Sequence, residues 1–235
     1  MELTKLVECL RGGLIVSCQA AAGEPLFGAE HMSAMARAAV SAGAAAIRAN
    51  GPTDIAAIRA AVEVPIIGLY KMSLPDFEVR ITPACEYAEQ VAAAGADLVA
   101  LDATDRPHPG GVSVAALIVQ VHQRTGKPVL ADVATLEEGE AAAKSGAEFV
   151  ATTLSGYTAY SPSQSGPDFA LLEGLVAGLR PQGIPVIAEG RIATPEQAAR
   201  ALALGAHAVV VGSAITRPQW ITARFVEVVQ KRGHA

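Results

Sequence analysis

Two short patterns alternate along this chain, and their alternation restricts the fold more than any other feature. One is Gly-Ala leading into an apolar run: SAGAAAIRA (41–49), AAGADLVALD (93–102), KSGAEFVATT (144–153) and ALGAHAVVVG (203–212). The other is Pro leading into an apolar run: VPIIGLYK (64–71), KPVLADV (127–133) and IPVIAEG (184–190). With GGLIVSCQ (12–19) in front, eight short apolar runs follow one another at about 29 residues per unit, room for one strand and one helix.

Helical signals fill the intervals. Pro52-Thr53-Asp54 opens a segment in which Ile55, Ile58 and Val62 recur at three- and four-residue spacing. Thr194-Pro195-Glu196-Gln197 supplies an N-cap, a proline at the first helical position and a glutamine three residues on. The glycine of each Gly-Ala unit suits a helix end handing over to a strand. Strands alternating with helices make a barrel or an open doubly wound sheet. An open sheet usually carries a glycine-rich phosphate loop after its first strand, and SCQAAAGEP matches neither dinucleotide nor P-loop patterns. The expected fold is therefore an α/β TIM (β/α)8 barrel, a single domain over residues 1–235.

Composition agrees and excludes several partners. Hydrophobic residues are 51% and aromatics only 4%, so the core must come from Ala, Val, Ile and Leu, as under parallel strands covered by helices. Lys and Arg number 18 against 23 Asp and Glu, a net charge of −5, and no basic run exceeds two residues; no nucleic-acid partner is expected. Cys9, Cys18 and Cys85 lack metal-ligand spacing and read as reduced thiols in the cytoplasm. Ile15-Val16-Ser17-Cys18 looks like a lipoprotein cleavage box. The apolar run before it is only Leu14–Val16, whereas a signal sequence needs roughly 7–15 such residues. No stretch approaches the length of about 18 apolar residues that spans a membrane. A homodimer is compatible with all of this.

Clean apolar runs make the polar residues at their ends informative. Gln19, Arg48, Lys71, Asp102, Asp132, Thr152-Thr153, Glu189 and Gly212-Ser213 end the eight runs in order. In a barrel these ends form the C-terminal rim, where active sites are built. Lys71 follows Ile66-Ile67-Gly68-Leu69-Tyr70, an apolar approach that should lower its pKa toward that of a general base or Schiff-base amine. Glu189 can hold or relay a proton or orient Lys71, Asp132 can accept from sugar hydroxyls, and Arg48 and Gln19 can grip substrate oxygens.

Gly190 and Gly212-Ser213 leave backbone N–H groups open beside helix starts, with Arg191 and Arg217 adding charge, which together suggest a phosphate site after strands seven and eight. Segment 155–167, SGYTAYSPSQSGP, reads as a mobile cover or a solvated loop. His108, between Pro107 and Pro109, reads as an exposed loop residue without a catalytic role. No spacing of His, Asp or Glu calls for a metal, and no cofactor is required. The ligand these residues suit is a small phosphorylated sugar.

The blocks AIRANG, PIIGLYK, ITPACEYAEQVAAAGADLVALDAT, LADVATLEEGEAAAKSGAEFVATTLSGYT and PVIAEGRIATPEQAARALALGAHAVVVGSAITRP together resemble the N-acylglucosamine-6-phosphate 2-epimerase family, over about residues 12–220. The resemblance implies interconversion of N-acetylmannosamine 6-phosphate and N-acetylglucosamine 6-phosphate, a step in sialic-acid and amino-sugar use. It places the family's lysine on Lys71 and its glutamate on Glu189. The substrate-binding arginine, aspartate and glutamine fall on Arg48, Asp132 and Gln19, and a phosphate-binding arginine on Arg217. One departure is visible in loop 72–80: MSLPDFEVR lacks an Arg-Asp pair expected there. A Schiff-base lyase using Lys71, and a sugar-phosphate sensor without activity, remain as alternatives.

Overall fold

Four helices end in the same way, and the Gly-Ala repeat is the reason. Gly43, Gly95, Gly146 and Gly205 take φ of 98°, 107°, 101° and 99°, a region closed to most side chains. The alanine after each glycine donates its N–H five residues back, Ala44 to Ala39, Ala96 to Val91, Ala147 to Ala142 and Ala206 to Ala201, at 3.0–3.3 Å. Each glycine N–H bonds three residues back. This paired closure satisfies carbonyls left over at the helix end, and the buried alanine turns the chain under the next strand.

The computed structural model describes residues 1–232. Its strands are Gly13–Cys18 (β1), Ala46–Asn50 (β2), Ile66–Leu69 (β3), Leu98–Asp102 (β4), Val129–Asp132 (β5), Phe149–Ala151 (β6), Val186–Glu189 (β7) and Ala208–Val211 (β8). All neighbours pair in parallel, and β8 pairs back on β1, closing the barrel that the repeats predict. Around it run Ala29–Ser41 (α2), Pro52–Ala61 (α3), Cys85–Ala93 (α4), Val114–Thr125 (α5), Leu136–Lys144 (α6), Phe169–Leu179 (α7) and Pro195–Ala203 (α8). A four-residue helix, Ser213–Thr216 (α9), leads to Pro218–Arg232 (α10). The N-cap expected at Thr194 is present: its hydroxyl accepts from Gln197 N–H, and Gln197 Oε1 accepts from Ala193 N–H.

The strand ends make the core two-layered. Ile15, Ala46, Ile67, Leu98, Leu130, Phe149, Ile187 and Ala208 fill the barrel interior, while Val16, Ile47, Ile66, Val99 and their neighbours face the helices. Gly68 faces outward at a tight approach: a Cβ there would lie 2.5 Å from Val91 Cγ1 and 2.6 Å from Ala96 Cβ, so β3 and α4 meet only because it has none. One element escapes the repeat argument. Leu3–Leu10 (α1) inserts fully buried Leu6 and Leu10 into the interior cluster and stoppers the barrel's N-terminal end. Each buried leucine contributes roughly 1.5–3 kcal/mol, which holds in place an eight-residue helix too short to form alone.

Candidate active site

Period two along each strand decides what reaches the barrel mouth. Inward positions run Ala46 to Arg48, Leu130 to Asp132, Phe149 through Ala151 to Thr153, and Ile187 to Glu189; Ile67 and Leu69 lead on to Lys71. The upper ends of five of the eight units therefore converge on one polar layer above an apolar one. Most of the predicted site residues lie in or beside it.

Arg48 is the centre of that layer. It is 1% exposed, and Asp132 is fully buried. Its Nη1 and Nη2 donate to Asp132 Oδ1 and Oδ2 at 3.0 and 2.6 Å, and Nη1 also donates to Glu189 Oε2 at 2.5 Å. Burial works against its charge, and the two carboxylates overcome that, so Arg48 stays protonated. From the sequence, Arg48 could grip substrate oxygens. Instead the fork is occupied by carboxylates, and only Nε is left, buried and without an acceptor. Thr153 Oγ1 adds a bond to Asp132 Oδ1 at 2.5 Å.

Glu189 feels this layer differently from Asp132. Burial raises its pKa to about 7; Asp132 pushes it further the same way, while Arg48 opposes the shift. Thr152 fixes its backbone, donating to Glu189 O at 2.8 Å and accepting from Glu189 N–H at 3.0 Å.

Lys71 lies just past β3, where the chain makes an antiparallel bridge to Ile81. Its backbone N–H donates to Asn50 Oδ1 at 2.7 Å, tying it to the end of β2. The side chain is open to solvent at the mouth, yet desolvation by the surrounding walls, helped by the charge on Arg48, lowers its pKa. Among the described residues no carboxylate lies within 4.0 Å of its ammonium, so Lys71 is not held in an ion pair at the rim. A lysine lowered and a glutamate raised, each facing the same Arg48, have their proton affinities brought toward one another. Loop 72–80, the divergent segment, is a hairpin-like excursion closed by Met72 N–H to Arg80 O and by Thr82 N–H to Tyr70 O, both 2.9 Å. The hairpin leaves Lys71 at its base.

Gln19 follows β1 and donates through Nε2 to Ser17 Oγ at 2.9 Å, with its Oε1 buried and unpaired. Beyond β7 and β8, the backbone N–H groups of Gly190, Arg191, Gly212, Ser213 and Ala214 have no acceptor among the described residues. Gly190 has φ 113° and Gly212 turns at ψ −100°, exposing these donors. Arg217 approaches on the same side, held by Glu24 Oε1 at 3.0 Å. The Arg191 side chain turns elsewhere: its Nε donates to Gly166 O at 2.8 Å, and the guanidinium lies 5.1 Å from the centre of the Tyr157 ring. Only its main chain faces the anion cradle.

One loop reading is refined and one needs correction. Segment 155–167 is partly solvated, with Tyr157 and Tyr160 exposed, and is stitched by side chains: Ser155 to Asp168 at 2.6 Å, Thr158 to Ser161 at 2.7 Å, and Tyr160 to Glu138. His108 is 3% exposed, its ring nitrogens bound to Arg106 O and Asp102 O; it locks the loop after β4. Asp102 is consumed in that loop by Thr104 and Arg106. Asn50 and Glu24 were not singled out beforehand, although inward parity marks Asn50; Thr153 was named only as a polar run end at the rim, with no role given to it.

No group of three or more His, Cys, Asp or Glu is placed to hold a metal among the described residues. Nor is any described helix long and apolar enough to cross a membrane.

The family model for N-acetylmannosamine-6-phosphate epimerases (NanE) matches residues 32–231. A protein of Caldanaerobacter subterraneus subsp. tengcongensis, named N-acetylmannosamine-6-phosphate 2-epimerase, is 48% identical over 231 residues, 98% of this chain and 96% of its own. One of the same name from Thermosynechococcus vestitus is 52% identical over 207 residues, 88% of this chain and 89% of its own. Among solved structures, the N-acetylmannosamine-6-phosphate 2-epimerase from Clostridium perfringens superposes with a TM-score of 0.92 at 46% identity, covering 97% of this chain and 98% of its own. A thiamine phosphate pyrophosphorylase from Pyrococcus furiosus, 19% identical with a TM-score of 0.59, shares the barrel alone.

Proposed function

The chain belongs to the N-acetylmannosamine-6-phosphate epimerase family, and from that premise we propose that it inverts C2 of N-acetylmannosamine 6-phosphate to give N-acetylglucosamine 6-phosphate, with Lys71 as base and Glu189 as acid. The observation that carries the residue roles is the unpaired Lys71 amine set beside a glutamate whose pKa rises to about 7. In the open-chain sugar, C2–H is flanked by the C1 aldehyde. Neutral Lys71 takes that proton, the C–H electrons form a C1=C2 bond, and O1 becomes an enolate oxygen that protonated Glu189 neutralises. The open-chain enol then turns its other face to the Lys71 ammonium, which gives a proton back to C2 as O1 returns its proton to Glu189, so the inversion leaves both groups as they began. Arg48 holds Asp132 and Glu189 in place and keeps a positive charge beneath the enolate. Gln19, through its unpaired Oε1, and Asp132 orient the sugar's polar groups.

Phosphate sits on the free N–H groups of Gly190, Arg191, Gly212 and Ser213, with Arg217 leaving Glu24 for it. Binding energy at this remote group positions the reacting carbon. The unphosphorylated sugar should therefore lose at least about a hundredfold in kcat/KM. Equal kcat/KM with and without the 6-phosphate would remove the phosphate assignment.

The whole chain, 1–235, acts as one barrel domain in the cytoplasm, a compartment that suits free Cys9, Cys18 and Cys85. A homodimer is supported by α10, where Phe225, Val228 and Val229 stand 70%, 57% and 69% exposed at helical spacing. Sedimentation of the unaltered protein at twice the 24.0 kDa chain mass is expected, and Phe225→Asp should lower it; a monomer throughout would refute the dimer.

A further inference from the structure

Two carboxyl groups share Arg48, but they are not equivalent, and the difference lies in a hydroxyl. Asp132 receives three donated hydrogens, from Arg48 Nη1, Arg48 Nη2 and Thr153 Oγ1. Glu189 receives one from Arg48 Nη1. A threonine hydroxyl has a single proton, and here it is directed at Asp132 Oδ1, 2.5 Å away. A bond given by that hydroxyl to Glu189 would hold the glutamate's pKa down, so the two carboxyls compete for one donor. The geometry commits the proton to Asp132, and Glu189, left without it, keeps its own proton more readily.

We infer that Thr153 decides which of the two carboxyls carries the exchangeable proton, making it a positioning residue that leaves Asp132 an acceptor and Glu189 the acid. The inference rests on the epimerase reading above. It is separate from the role of Thr152, which clamps the Glu189 main chain from the neighbouring position. The charged groups that bear on Glu189 besides Asp132 are Arg48 from β2 and Lys71 beyond β3, and neither supplies the bond that Thr153 gives.

The test compares T153V and T153S with the unaltered protein, following C2 inversion by NMR from pH 5.5 to 9. Valine keeps the shape and removes the hydroxyl. A hydrogen bond to a charged group contributes enough that kcat should fall about tenfold. Without that donor the carboxyl pair holds its protons more tightly, so the pH profile should move upward by roughly one unit. T153S should restore both rate and profile. A purely structural role would instead lower the rate by one factor at every pH, and a superimposable profile overturns the inference. So does failure of T153S to restore it. Should T153V melt below the assay temperature, T153A is read by the same criteria. Absence of C2 inversion by the unaltered protein is the distinct outcome that removes the epimerase reading, and this inference with it.

Discussion

Lys71→Ala is expected to abolish epimerisation while leaving the barrel folded. Loss of a general base costs about 10²–10⁴ in rate, and here no other described amine lies in the layer to replace it. The side chain is open to solvent at the mouth and forms no ion pair within 4.0 Å among the described residues, so melting should change by no more than about 0.5 kcal/mol. Lys71→Arg should fail nearly as badly, because a guanidinium stays protonated at any working pH. Near-normal turnover by Lys71→Ala with unchanged melting would show that the base is elsewhere.

Arg48→Met has the larger expected effect on stability. It removes the only cation that, among the described residues, is bonded to Asp132 and Glu189, and leaves two carboxyls in a buried layer. Breaking a buried ion pair by deleting one partner costs about 3–5 kcal/mol. The pH dependence has a definite sign. Glu189 titrates near 7 in the folded protein against an ordinary 4.5, so it takes up a proton on folding between those values. Its contribution to stability is full below about pH 4.5 and is lost as pH rises through 7. Removing Arg48 removes the one strong opposing charge and raises that pKa further, so the deficit of Arg48→Met should be greater at pH 8 than at pH 5. Denaturant titrations at the two values measure it. Replacing Arg48, Asp132 and Glu189 together by Met, Leu and Leu should return most of the stability while activity stays absent, because no charge is then left uncompensated. A single Arg48→Met variant as stable as the parent at both pH values would contradict the account of the layer.

Much of this molecule was legible because its repeats encode specific bonds. The Gly-Ala units announced four helix ends and the strands that follow, and each glycine adopts the positive φ that the pattern demands. Polar residues at the ends of apolar runs located the rim, since period two carries Arg48, Asp132 and Glu189 inward without further information. What stayed hidden depends on contacts distant in sequence. Arg48 and Asp132 are 84 residues apart and Arg48 and Glu189 141, so nothing local reveals that the arginine is taken up by carboxylates. The helix α1 belongs to no repeat, although Leu3, Leu6, Val7 and Leu10 have helical spacing. His108 looked solvated because its residue type is polar and its neighbours are prolines; bonds to Arg106 O and Asp102 O are what bury it, and within segment 155–167 similar bonds bury Ser155, Thr158 and Ser161 while Tyr157 and Tyr160 stay exposed. Arg191 was assigned to phosphate by adjacency to Gly190, and its side chain instead meets the β6–α7 loop.

The central claim is proton transfer at C2 through Lys71, and NMR of N-acetylmannosamine 6-phosphate turned over in D₂O tests it most directly. The amine and the Glu189 carboxyl both exchange with solvent, so product formed early in the reaction should carry deuterium at C2, and Lys71→Ala should place none there. Product that retains its original hydrogen at C2, or deuterium entering at an undiminished rate with Lys71→Ala, would contradict it.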